Sequence, residues 1–186
     1  MKAYCRALCV FFLYSPMLLA ADTVLKLYRP FGDVMDQIAP VITTKLHGHC
    51  EGQSHLIVRE DAWHCQAKGV VYDPCFAKMS KELVVICPKS PWNGDSTQIT
   101  VTTPLNNERH HTLDMSQALP WAIELVTGTR CQAVEPGEEY DNMPVRYRCG
   151  EHQVLMGYLQ RCKPQWSMLE KNPQGVVTVA LAKAWF

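Results

Sequence analysis

Asp61-Ala-Trp-His-Cys65-Gln-Ala-Lys-Gly69-Val-Val-Tyr-Asp73-Pro-Cys-Phe76 is the stretch whose reading decides the fold. Trp63 and Cys65 stand two residues apart, the interval at which strand side chains share a face, so His64 points to the other face. Lys68-Gly69 has the composition of a tight turn, and Val70-Val71-Tyr72 is the β-branched and aromatic run of a returning strand. Asp73-Pro74 reads as the start of a second turn, because Asp bonds to the backbone ahead of it and Pro fixes φ. A strand, a turn, a strand and a turn, with a cysteine in each half, predict a hairpin held by disulfides.

The same grammar extends in both directions. Upstream, Val41 to Leu46 is rich in β-branched residues, and Ser54 to Arg59 reads as a further strand ended by Glu60-Asp61. Val34, Met35 and Ile38 permit one short helical turn. Downstream, Leu83 to Cys87 is an apolar strand, Pro88 to Gly94 a loop, and Gln98 to Thr103 an alternating strand. After Pro120, strands are expected at Trp121–Val126, Val145–Cys149, Val154–Leu159, Trp166–Glu170 and Val176–Phe186. Helical periodicity is weak and short strands recur, which predicts an all-β chain. Its organisation is read as one domain of two small antiparallel β-rich lobes, residues 22–103 and 120–186. The linker between them, 104–119, carries Asn106-Asn107 and a solvated His110-His111.

The beginning of the chain sets the compartment. Lys2 and Arg6 precede an apolar run from Ala7 to Ala20, and Ala20-Ala21 offers small residues for cleavage, so residues 1–21 read as a secretory signal peptide. The run is short for a membrane span of ~20 residues. Membrane contact is therefore expected only through this leader before cleavage, and the mature chain is expected to be secreted or periplasmic. Of 18 basic and 18 acidic residues, the leader takes two basic ones, leaving a slight negative charge. Nucleic acid, which needs a basic stripe, is excluded as a partner.

Seven cysteines follow the leader, and an oxidising compartment pairs thiols. Pairing along neighbouring strands gives Cys50 with Cys65, Cys75 with Cys87 and Cys131 with Cys149, one among the fifteen pairings open to six cysteines. Each bridge is worth about 3 kcal/mol for loops of this size. Cys162 is left as a free thiol, read as partly buried or sterically protected, with pairing between chains as the alternative.

The residues that chemistry would use are scattered. His47 and His49 share a face of one strand, with His55 nearby, but no further ligand completes a recognised metal motif, and no cofactor is expected. Asp61, Asp73, Glu124 and Glu138-Glu139 are the candidate acids, yet Asp73 is explained by turn chemistry, Asp61 by a strand end and the Glu135–Asp141 run by a solvated loop. No nucleophile elbow, phosphate loop or zinc-protease motif is present. Trp185 or Phe186 is expected to plug the core as the last strand docks.

Asp61-Ala-Trp-His-Cys65, Tyr72-Asp-Pro-Cys-Phe76, Pro120-Trp-Ala-Ile-Glu-Leu125, Cys131, Tyr147-Arg-Cys149, Leu155-Met-Gly157 and Trp166 follow one another in this order. Over residues 47–186 this resembles a family of small exported bacterial proteins of uncharacterised function, which implies an exported, cysteine-bridged chain and no particular activity. The Tyr147-Arg-Cys149 to Gly157 portion also resembles small periplasmic lysozyme inhibitors. The expected function is an exported, non-catalytic binding or envelope-associated module with a protein or cell-envelope glycan as partner. The alternatives are an envelope hydrolase or metal-dependent enzyme, marked by convergence of Asp61, Asp73, Glu124 and the histidines, and an inhibitor of an extracellular enzyme acting through the Glu135–Asn142 loop.

Overall fold

The structure, a computed structural model, describes residues 21–31, 39–78 and 83–186. The expected leader lies outside these residues except for Ala21, and so does the helical turn expected around Val34, Met35 and Ile38. The described residues form an all-β fold of thirteen strands stapled by three disulfides.

The first barrel is built from β2 (Val41–Gln53), β3 (Ala62–Ala67), β4 (Val70–Phe76), β5 (Val84–Ser90) and β6 (Asn93–Val101). Neighbours are antiparallel except where β2 meets β6 in parallel and closes the ring. Lys68 and Gly69 both have positive φ, the geometry of the two-residue hairpin turn that matches strand twist, and they join β3 to β4. Trp63, Cys65 and Ala67 point inward from β3 and pack with Cys75, Val85, Ile99 and Val101. Gly48 sits where β2 crosses β3 closely: a Cβ there would lie 2.3 Å from the Gln66 carbonyl oxygen, so no larger residue fits.

The second barrel contains β7 (Ala122–Leu125), β8 (Arg130–Ala133), β10 (Met143–Arg148), β11 (Val154–Gln160), β12 (Ser167–Asn172) and β13 (Gly175–Trp185), closed by β13 against β7. The short β9 (Glu139–Tyr140) flanks β10, and β1 (Val24–Lys26), though it precedes the first barrel in sequence, pairs in parallel with β13. Ile123, Leu125, Tyr147, Leu155, Met168 and Leu181 fill the interior. The Tyr147 hydroxyl donates to the Pro120 carbonyl at 2.8 Å, so this buried phenol keeps a partner.

Bridges run Cys50–Cys65 across β2 and β3, Cys75–Cys87 across β4 and β5, and Cys131–Cys149 between β8 and the residue after β10. Cys162 is exposed rather than enclosed. It lies in the turn between β11 and β12, away from either barrel interior.

A third apolar cluster joins the barrels: Tyr28, Ile57, Ala62, Phe76, Ala118, Trp121, Ala122, Ala184 and Phe186. Tyr28 meets Trp121 edge-on, with ring centroids 5.3 Å apart. Residues 104–119 are part of this packing. Leu105 enters the first barrel and Ala118 the junction, and His110 lies 4.3 Å from the Trp63 ring and engages the Glu60 carbonyl, so it is packed rather than solvated.

Ser54–Arg59 is not a strand. The Ser54 hydroxyl oxygen accepts the amides of Leu56 and Ile57, both at 3.1 Å, and so takes donors that a ladder would need. The segment instead swings across the junction and delivers Ile57 and Arg59 to it.

Burial pushes the Tyr28 phenol up to about 12, the nearby Arg59 charge opposing only part of that. The unfolded phenol ionises near ~10. The neutral ring therefore contributes stability that is present in full below about pH 10 and is lost as pH rises through about 12. Urea midpoints are expected to fall over this window. Tyr28→Phe should flatten the fall, measured in a Cys162→Ser background so that thiol exchange does not intrude.

Candidate functional site

The site begins with an irregularity in the β3–β4 hairpin. Trp63 pairs with Cys75 and Cys65 with Tyr72, so His64 stands opposite both Asp73 and Pro74. This is a bulge, the place in a sheet that tolerates a proline, and it corrects the expected turn: Asp73-Pro74 lies inside β4, across a cis peptide bond. The extra residue aims Asp73 back at β3. Its carboxylate lies 2.8 Å from His64 Nδ1, accepts the His55 amide at 2.9 Å and takes a short hydrogen bond from the Ser54 hydroxyl.

His55 then stacks on His64, with centroids 4.1 Å apart and planes 20° from parallel. From the second barrel, Glu135 reaches from the loop after β8 and places Oε2 3.3 Å from His55 Nδ1. Two imidazoles and two carboxylates thus meet at the barrel boundary, with one donor atom of each within 4.8 Å of the others. The Asp73 side chain is 2% exposed and His64 19%, whereas His55 and Glu135 are half-exposed.

The other candidates go elsewhere. His47 and His49 are exposed on β2, with His49 Nε2 3.1 Å from Glu51, and neither joins the cluster. His55, the anticipated third member of that set, turns to His64 instead. Asp61 is clamped by Arg59, Nε to Oδ1 at 2.6 Å and Nη2 to Oδ2 at 2.5 Å. Glu124, on β7, accepts from Lys183 at 2.8 Å and Arg130 at 3.2 Å. Burial pulls its carboxyl up, but those two cations outweigh it and hold it below the usual range, so Glu124 suits an ion pair and not a proton donor. The Glu135–Asn142 loop is pinned by the His55 contact, by a 2.7 Å Glu138–Arg148 pair and by β9 on β10.

Beside the junction lies an open cleft of about 450 Å³. Leu27, Phe31 and Leu113 supply apolar wall, and Arg29, Arg59, Glu60, Asp61 and Lys78 supply charge.

No protein-family model matches this chain, and comparison with curated proteins and with solved structures returns no match. Among the described residues no helix is long and apolar enough to cross a membrane.

Sequence reasoning missed the cluster. His64 was legible as pointing outward from β3, and Asp73 as a residue bonding to backbone ahead of it. That they face each other depends on the bulge, and Glu135 is 80 residues from His55 in the chain.

Proposed function

We propose that this protein is an exported, non-catalytic binding module of the cell envelope, with an envelope glycan held in the cleft beside the junction. The observation that carries the reading is that Asp61, Asp73 and Glu124 do not converge: only Asp73 joins the histidines and Glu135. Asp61 is committed to Arg59, Glu124 to Lys183 and Arg130, and Asp73 to Ser54 and the histidines. A glycoside hydrolase needs two carboxyl groups facing each other across the bound sugar, one of them able to give a proton. The Ser54 hydroxyl, which donates to Asp73 and accepts two amides, is not poised as a nucleophile next to a base.

Apolar wall beside fixed charged groups is what a sugar recognises, its C–H face on one and its hydroxyls on the other. Export is supported by the leader-like start, by three disulfides suited to an oxidising compartment and by the resemblance to small exported bacterial proteins.

The test is co-sedimentation of the oxidised protein with purified peptidoglycan sacculi. The protein is expected to pellet with them, to be released by Lys78→Glu or Phe31→Ala at the cleft, and to liberate no soluble fragments. Failure to pellet would refute glycan binding, and liberated fragments would make the protein a hydrolase.

A further inference from the structure

We propose that His55, His64, Asp73 and Glu135 form a binding site for one late first-row divalent cation, with zinc as the reference ion, shared between the two barrels. The inference stands apart from whatever occupies the cleft.

The donor set argues for the class of ion. Two imidazoles select zinc, copper or nickel over magnesium and calcium, which prefer oxygen throughout. Two carboxylates supply two formal negative charges, which a divalent cation balances. Four protein donors match the number that a tetrahedral zinc site of the structural kind takes.

The construction argues that the cluster is more than a chance meeting on the surface. Half of it is preformed. The Asp73 carboxylate is nearly enclosed and is oriented by the Ser54 hydroxyl and the His55 amide, and His64 is held against it. Hydrogen bonds of this kind, made to a ligating carboxylate from behind, tune and fix metal sites. The other half is adjustable. His55 and Glu135 are half-exposed, and side-chain rotations there draw the four donor atoms, now within 4.8 Å of one another, onto a single ion. The bulge in β3–β4 is what re-aims Asp73 into this position, and bulges are enriched beside functional sites. Since Glu135 belongs to the second barrel, the bound ion ties the barrels together at a point outside their shared apolar core.

The experiment is calorimetric titration of zinc chloride into oxidised protein that has been treated with chelator and desalted. The expected result is about one zinc per chain, with a higher melting temperature in excess zinc because the ion binds only the folded state. His55→Ala and Glu135→Gln, both at half-exposed positions, should keep the melting temperature of the ion-free protein and weaken zinc binding roughly tenfold or more. A joint His47→Ala and His49→Ala variant should bind as the parent does, and magnesium should give no heat. The proposal is overturned if zinc does not bind, if binding is indifferent to both His55→Ala and Glu135→Gln, or if it disappears with His47 and His49. In the first case the stacked imidazoles and their carboxylates are a hydrogen-bonded contact between barrels and nothing more.

Discussion

Arg59→Met is expected to destabilise the protein by about 3 kcal/mol, the cost of emptying a buried charged node. The guanidinium is 6% exposed and spends its donors in three directions. Nε and Nη2 clamp Asp61, while Nη1 reaches the main-chain oxygens of Tyr28 at 2.6 Å and Phe186 at 3.0 Å. Its carbon lies 4.7 Å from the centre of the Phe76 ring, adding a cation–π contact. Methionine keeps much of the volume and none of the donors, so the Tyr28 oxygen loses its guanidinium partner inside an apolar junction. Arg59→Lys should recover little, because an ammonium cannot span a carboxylate and two carbonyls with one fork. Asp61→Asn should cost less, since the Asp61 side chain is 33% exposed and water replaces part of what it loses. Urea midpoints read all three, and an unchanged denaturant slope identifies the loss as one of stability.

Phe186→Ala should cost about 3–5 kcal/mol, as expected for deleting a buried ring. Phe186 is fully buried, stands edge-on to Trp166 with centroids 6.4 Å apart, and packs in the junction with Tyr28 and Trp121. Its backbone is equally engaged: its amide donates to Lys26 and its oxygen receives the Tyr28 amide at 2.7 Å. Both Arg59 and Phe186 hold Tyr28, so the double variant should lose less than the two single losses together, the mark of a shared structure.

The parts of the fold that were readable from sequence are those written in adjacent residues. Trp63 and Cys65 on one face, the Lys68-Gly69 turn and the apolar Phe186 are local signals, and they survive because no distant partner competes for them. Ser54–Arg59 misled because its apolar Leu-Ile-Val core has strand composition, while one hydroxyl is enough to withdraw two amides from any ladder. Asp73-Pro74 misled in the opposite sense, since its turn chemistry was satisfied inside a strand by a bulge. The closing of β2 on β6 in parallel and the arrival of Glu135 beside His55 are long-range facts that no local pattern encodes.

The central claim, an exported chain stapled by three specific bridges, is tested most directly by the intact mass of the protein recovered from the periplasm of a bacterial host, with and without alkylation under denaturing, non-reducing conditions. The account predicts a chain cut near Ala20-Ala21 that carries three disulfides and takes up one alkyl group, at Cys162. A chain that keeps its first residues, or one whose Cys50, Cys65, Cys75, Cys87, Cys131 or Cys149 is alkylated, would contradict it.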